Sequence, residues 1–276
     1  LKLNTAMRSL CQQPSMRKQR PLNVIRYAQA LGLFLSATAC FAQCDVFPAL
    51  ENRWDSIWPR AFGWVPGHED SVQGFKRSVI AYLQDGSSWN CWPSDAGKLR
   101  AVLAPDSSFR VISWDEISGG SSHDMASLLQ APNGDATCVV RVLDPESPGT
   151  ELEENPMENV VVHQIHRVTG TAVPTYLLFG WGTHGGGHQH QTIQAFRRGG
   201  SGLERCEGCF PSGRSYGVEY SRSDTLDLTF DAGTNTISHN GFRDSAGEEE
   251  PDGFKQPTGK RVRLEWLGDR FAIKPE

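Results

Sequence analysis

Three histidines surround a run of glycines in the segment "WGTHGGGHQHQ", residues 181–191. His188 and His190 are two positions apart, so on a β-strand their side chains point to the same face. His184 could approach them from the other side of a turn formed by the glycines at 185–187. Imidazole nitrogen is a common ligand of zinc, copper and nickel. The spacing therefore indicates a candidate metal site at His184, His188 and His190, with zinc as the candidate cofactor.

A catalytic zinc site keeps one position open for water and uses a nearby acid as general base. No Asp or Glu stands next to these histidines in the sequence. The simpler interpretation is an exposed hairpin tip, in which the glycines adopt positive φ and the histidines are polar flanks. The sequence favours the hairpin tip and leaves a metal-dependent hydrolase as the alternative function.

Two short patterns are typical of lipases. Residues 184–187 read "HGGG", like an oxyanion loop, and "GRSYG" at 213–217 matches the nucleophile elbow, with Ser215 as the nucleophile. An elbow needs a strand before the serine and a helix directly after it. The segment after Ser215, "VEYSRSDTLDLTF", has the pattern of a strand, so we predict no serine hydrolase and no catalytic residue.

Cys206 and Cys209 form a Cys-x-x-Cys pair in "CEGCFPSG". Redox chemistry at such a pair depends on a helix N-terminus that lowers the thiol pKa, and the following Pro and Gly do not favour a helix. We therefore expect a structural disulfide between Cys206 and Cys209.

The N-terminal region has the features of a secretory signal peptide. A basic start at 16–20 precedes an apolar stretch at 30–37, and small residues then allow cleavage after Ala39 or Ala42. The apolar stretch is shorter than the roughly 18 residues that a transmembrane helix needs. We expect residues 1–15 to be a spurious upstream extension and 16–42 a signal peptide. The mature protein would then be periplasmic or secreted and would have no transmembrane segment.

A lipid anchor is the alternative to a free mature N-terminus. "SATAC" loosely resembles a lipoprotein processing site, which would place lipid on Cys40 and attach the protein to the outer membrane. Ala37 stands where such sites usually have Leu, so the sequence disfavours this alternative.

The charge of the mature chain argues against nucleic acid as a partner. The first 44 residues hold six Lys or Arg and no acid, so 21 basic and 32 acidic residues remain, a net charge of −11. A surface of that charge repels a phosphate backbone. The sequence indicates no other class of partner.

Residues 43–93 are rich in aromatic residues and partly helical in pattern. Apolar residues at steps of three and four predict a helix over 70–85, begun by Asp70 or Ser71 and ended at Gly86. Trp54 and Trp58 would lie on one face of a shorter helix that ends at Pro59. We expect most of these aromatic side chains to belong to the core.

From residue 94 to 276 the pattern changes to short strands joined by turn residues. Five hairpins are predicted: "KLRAVL" with "FRVISW", "ASLLQ" with "TCVVRVL", "VVVHQIHRV" with "PTYLLFGW", "LDLTFD" with "TISHN", and "RVRLEW" with "RFAIK". They predict a mainly β fold, an antiparallel β barrel or sandwich preceded by the small helical segment, with a small β-propeller as the alternative. The acidic segments 144–159 and 243–259 are expected to be solvated loops.

Two segments together resemble a known set of proteins. "FRVISWDEISGG" at 109–120, followed by "TYLLFGWGTHGGGHQHQTIQAF" at 175–196, is similar to secreted Gram-negative bacterial proteins that carry a Phe-Arg-x-x-Ser-Trp-Asp-x-x-x-Gly-Gly segment in a β-rich domain. The resemblance implies export and β architecture. It transfers neither an activity nor a site residue.

These observations favour an exported, periplasmic β-domain protein that acts by binding or as part of the envelope and is not an enzyme. The reason is that each catalytic motif lacks the structural context that its chemistry needs.

Overall fold

The computed structural model describes most of the chain after the predicted signal peptide. It describes residues 45–61, 67–94, 97–116, 121, 123–133, 137–143, 158–200, 202–244 and 255–274. All of them belong to one compact unit, Gln43–Glu276. The predicted upstream extension, signal peptide and Cys40 lie outside the described residues.

Two α-helices and a short 3₁₀ helix precede thirteen strands in the described chain. The helices are α1 (Val46–Ala61), α2 (His68–Gln84) and the 3₁₀ helix Gly86–Asn90. The strands are β1 (Arg100–Leu103), β2 (Arg110–Asp115), β3 (Met125–Asn133), β4 (Thr137–Val142), β5 (Val161–Val168), β6 (Thr175–Gly185), β7 (His188–Gly199), β8 (Gly202–Arg205), β9 (Ser215–Ser221), β10 (Thr229–Asp231), β11 (Thr236–Asp244), β12 (Lys255–Trp266) and β13 (Phe271–Ile273).

The predicted helix over 70–85 is confirmed as α2, although it begins two residues earlier. Asp70 and Ser71 lie inside its first turn, and Gly67 with φ 80° precedes it. The predicted end of α1 at Pro59 is wrong, because the helix continues to Ala61. Proline removes one backbone donor, and so close to the helix end that loss interrupts little of the hydrogen-bond ladder.

The strands form three antiparallel sheets, and all five predicted hairpins are confirmed. Sheet 1 has the order β1-β2-β3-β4, and sheet 3 has the order β10-β11-β12-β13. Sheet 2 has the order β5-β6-β7-β8, and β9 also pairs with β7. β8 pairs with the C-terminal part of β7, and β9 pairs with its N-terminal part. The two short strands therefore lie end to end beside β7.

The helices and sheets stack in layers, and an apolar core lies between each layer and the next. The helical segment packs on one face of sheet 1, where Trp54 and Phe75 meet Trp114. The other face of sheet 1 packs on sheet 2. The core between them contains Phe109, Val111 and Leu129 from sheet 1 and Tyr176, Leu178 and Phe196 from sheet 2. The opposite face of sheet 2 packs on sheet 3 through Leu177, Phe179, Ile193, Ile237, Leu264 and Phe271.

The fold is therefore mainly β, and its face-to-face sheets have a sandwich-like arrangement. Within the described residues no sheet closes into a barrel, and no propeller is found. Sheet 2 is covered on both faces. This explains why "TYLLFG" in β6 is continuously apolar instead of alternating.

The predicted acidic loops are shorter than the sequence suggested. β11 continues to Asp244 and β12 begins at Lys255, and these two residues pair, so the ends of segment 243–259 belong to a hairpin. In segment 144–159, Glu158 is buried, with its carboxylate between Arg205 and Arg214. Two guanidinium groups compensate the cost of removing this charge from water. The other residues of both segments lie largely outside the described chain.

No helix in the described part of the chain is long and apolar enough to cross a membrane.

Candidate functional site

A groove of about 830 Å³ runs beside β1, and we call it the β1 groove. One wall is formed by residues 97–103, which include the whole of β1. Val161 and His163 of β5 and Trp181 of β6 lie on the sheet 2 side. The remaining lining residues are Trp92, Pro93, Ser94, Trp114 and Asp115.

Trp92 is the most exposed aromatic residue of the groove, at 45 %. Its position is fixed by Arg110 of β2, which is fully buried and whose guanidinium carbon lies 4.9 Å from the centre of the Trp92 ring. The same guanidinium donates hydrogen bonds to the Cys91 and Ser88 carbonyls and to Gln130 Oε1, at 2.5, 2.8 and 2.6 Å. Arg110 therefore attaches the segment that carries Trp92 to sheet 1.

Burial of Arg110 lowers the pKa of its guanidinium to about 10. The group still carries its charge at neutral pH, because this value remains well above 7. Stacking against Trp92 and three hydrogen bonds compensate for the water that the cation has lost.

His163 enters the groove at an irregularity of β5, where the pairing register with β6 shifts between Val162 and Gln164. Burial, together with the charge of Arg100 and the neighbouring His166, lowers the pKa of His163 to about 4. Its imidazole is neutral at pH 7, so it can both donate and accept a hydrogen bond in the groove.

Trp114 contributes a buried donor to the groove wall. Its side chain is 1 % exposed, and its Nε1 has no hydrogen-bond partner among the described residues. A buried N–H group without a partner is uncommon in folded proteins and costs free energy.

Asp115 and His123 form a polar pair at the groove that sequence reasoning missed. His123 Nδ1 lies 2.7 Å from Asp115 Oδ2. Asn159 Oδ1 accepts a hydrogen bond from the Met125 N–H group, and Asn159 Nδ2 donates one to the His123 carbonyl oxygen. The only sequence signal was an Asp and a His eight residues apart.

The predicted metal ligands lie at the β6–β7 hairpin. Gly185, Gly186 and Gly187 all have positive φ, as the hairpin interpretation requires. His188 Nδ1 lies 3.1 Å from Glu219 Oε1 on β9. His190 is fully buried, and its Nε2 lies 3.3 Å from the Asn159 carbonyl oxygen.

No three His, Cys, Asp or Glu side chains whose positions are described are placed to hold a metal ion. The side chain of His184 lies outside that set, although its backbone belongs to β6. The three-histidine site at His184, His188 and His190 therefore stays a prediction.

The cysteines differ in their chemical state. Cys206 and Cys209 are at disulfide distance, with Cα atoms 5.5 Å apart, as expected for a local bridge. Cys91 is also disulfide-bonded. Among the described cysteines Cys138 is the free one, and burial raises the pKa of its thiol, so it is not an activated nucleophile.

The lipase pattern has no elbow. Ser215 begins strand β9 and is buried, so no helix follows it. His239 accepts a hydrogen bond from Tyr216 O–H on Nε2, at 2.8 Å, and donates from Nδ1 to the Asn240 carbonyl. Both nitrogens of this imidazole are therefore used in structural contacts.

Comparison with protein-family models, with curated proteins and with solved structures found no match to this chain.

Proposed function

We propose that the protein is an exported, non-enzymatic binding protein that holds its ligand in the β1 groove. The observation that carries this proposal is the groove itself. Its volume of about 830 Å³ falls within the range of roughly 300–1,000 Å³ that is usual for ligand sites.

The lining of the groove suits a ligand with both apolar and polar parts. Trp92 offers a partly exposed ring, while Lys98 and Arg100 supply charge.

Export is supported by the sequence of the first 42 residues and by the disulfide chemistry. Disulfides persist in oxidising compartments and are rare in a reducing cytosol. The Cys206–Cys209 bridge and the bonded state of Cys91 are consistent with a periplasmic or extracellular location.

Thermal shift measurements against defined ligand classes test the binding function. The mature protein, a Trp92→Ala variant and a Leu267→Ala control are each mixed with oligosaccharides, short peptides or acyl lipids. Leu267 is 60 % exposed and does not line the groove. We expect one class to raise the melting temperature of the wild type and of the control, with a smaller shift for Trp92→Ala. Equal shifts in all three proteins, or none in any, contradict the proposal.

Mass spectrometry of the N-terminus of protein isolated from cells tests export. A start at Gln43, or an unmodified start at Cys40, supports cleavage and release. A diacylglyceryl group on Cys40 indicates the lipid-anchored alternative, and an intact residue 16–42 segment contradicts export.

A metal-dependent hydrolase is the second candidate, and one contact favours it. No acid stands next to the histidines in the sequence. The β7–β9 pairing, however, brings Glu219 Oε1 to 3.1 Å from His188 Nδ1. A carboxylate beside an imidazole can act as the general base that a zinc hydrolase needs. The hydrogen bond of His190 to the Asn159 carbonyl weighs against it, because that nitrogen is already engaged.

Elemental analysis of the purified protein distinguishes the two candidates. The hydrolase requires about one metal ion per chain in the wild type and none after combined His188→Ala and His190→Ala substitution. Absence of stoichiometric metal in the wild type removes the metal hypothesis.

A further inference from the structure

The β1 groove lies along an unpaired sheet edge. Sheet 1 ends at β1, which pairs with β2 alone in the described part of the chain. Ala104 N donates to Phe109 O at 2.9 Å, and in an antiparallel pair hydrogen-bonded and non-hydrogen-bonded positions alternate. The backbone groups of Ala101 and Leu103 therefore point away from β2, towards the groove.

The groove follows this edge continuously. Every residue from 97 to 103 lines it, together with Val161 and His163 of the neighbouring β5. An extended chain placed here would continue sheet 1 as a fifth strand, because a strand edge presents its amides and carbonyls at the spacing of another strand.

The two faces of β1 offer different chemistry to such a strand. Arg100 and Val102 pair with Ser113 and Val111 and lie on the sheet 2 side, where Arg100 acts on His163. Ala101 lies on the helical side with Ile112.

Leu103 pairs with Arg110, which stacks on the exposed Trp92 ring. Side chains of an added strand would alternate between these two environments. The Arg100 side favours a carboxylate, and the Trp92 side favours an apolar group.

We propose that the ligand of the β1 groove is an extended peptide segment with alternating acidic and apolar residues, which binds by adding a strand to the free edge of β1. This inference rests on the proposed function, since it names the ligand class of the same groove. Main-chain hydrogen bonds to Ala101 and Leu103 would supply affinity, and Arg100 with Trp92 would supply selectivity.

Binding of a synthetic peptide library to the mature protein tests the proposal. The probes are fluorescein-labelled eight-residue peptides in which Glu or Asp alternates with varied apolar residues, and the matched set carries Lys at the acidic positions. We expect acidic members to bind and their Lys counterparts to bind at least tenfold more weakly. An Arg100→Glu variant should reverse this preference. A library in which no acidic member binds better than its Lys counterpart overturns the proposal.

Backbone methylation tests strand addition directly. Each binding peptide is made in two forms, methylated on its odd or on its even amide nitrogens. Only one set of amides faces β1, so one form should lose at least about fivefold in affinity while the other binds as before. Equal affinity of the two forms shows that no strand is added.

A protein variant provides the complementary test. Ala101→Pro removes an N–H group that faces the groove. It removes no hydrogen bond to β2, and an edge strand tolerates proline at such a position. Ala101→Val retains the N–H and serves as the control. We expect Ala101→Pro to bind the peptides at least about fivefold more weakly than Ala101→Val. Equal binding contradicts strand addition, and should Ala101→Pro not fold, the methylated peptides still decide the question.

The outcomes separate this inference from the proposed function. If oligosaccharides or lipids shift the melting temperature in a Trp92-dependent manner and peptides do not bind, the groove is a binding site and the peptide proposal is wrong. If no ligand class responds to Trp92→Ala, the proposed function itself fails.

Discussion

Arg110 is the residue on which the geometry of the groove depends most. It is fully buried, and it joins the chain around Cys91 to β2 through three hydrogen bonds and a stacked Trp92 ring. Removal of its guanidinium leaves two carbonyls and the Gln130 amide oxygen without this donor in an apolar surrounding.

We expect Arg110→Ala to lower the free energy of unfolding by about 3–5 kcal/mol, since it creates a cavity and unpaired polar groups together. Arg100→Ala, which removes an exposed arginine from the neighbouring strand, should change it by less than about 0.5 kcal/mol. Urea unfolding of both variants measures the difference. Similar changes in the free energy of unfolding for the two substitutions would show that Arg110 does not attach the segment that carries Trp92.

His163 predicts how stability changes with pH. Its pKa of about 4 in the folded protein lies below its ordinary value of 6.5. The unfolded chain therefore binds more protons between these values, and the free energy of unfolding decreases as the pH falls from about 6.5 through about 4.

A His163→Gln variant should lose less stability than the wild type over that pH window. Melting temperatures measured from pH 7 to pH 4 give the comparison. Burial also lowers the pKa values of His166 and His239, so part of the dependence should remain in the variant. An unchanged pH profile would falsify the role assigned to His163.

At the scale of the elements, Gly182 shows how β6 accommodates Asn159, which lies shortly before β5. A Cβ atom at this position would overlap the Asn159 carbonyl oxygen and lie 2.5 Å from His190 Nε2. Only a glycine lets β6, the buried imidazole and Asn159 approach so closely. Asn159 in turn holds His123 beside the groove.

We expect Gly182→Ala to destabilise the protein by about 1–3 kcal/mol, the usual cost of overpacking. Gly200→Ala is the matched control, because nothing lies within 4 Å of its Cβ and its φ is not positive. Chemical denaturation of the two variants decides the matter, and a Gly182→Ala protein as stable as Gly200→Ala contradicts this packing.

The elements also show which features a sequence can predict. All five hairpins followed from local turn residues and β-branched runs, because each pairs strands that are adjacent in the chain. The register shift at His163 leaves no such signal, since strict alternation would place this residue on the same face as Ile165. The pairing of β9 with β7 is non-local, and it alone brings Glu219 to His188.

The groove escaped prediction for the same reason. Its walls come from β1 and from β5, which lie some sixty residues apart and meet only when sheets 1 and 2 stack. Trp92 belongs to a segment whose aromatic residues were expected in the core. Trp54 and Phe75 fulfil that expectation, whereas Trp92 is exposed because Arg110 holds it at the edge.

At the scale of the whole molecule, the stacking of three sheets makes sheet 2 an interior layer. Leu177 and Leu178 are neighbours on β6, so their side chains point to opposite faces. Leu178 is buried in the core shared with sheet 1, and Leu177 in the core shared with sheet 3. In a sheet with one solvated face, one of these two residues would be exposed.

We therefore expect Leu177→Ala and Leu178→Ala to destabilise the protein equally strongly, each by about 2–5 kcal/mol, because both leave a cavity in a closed core. The exposed Leu267→Ala serves as control and should change stability by less than about 0.5 kcal/mol. Urea unfolding curves of the three variants provide the measurement. A large effect of only one of the two β6 substitutions would mean that one face of sheet 2 is open.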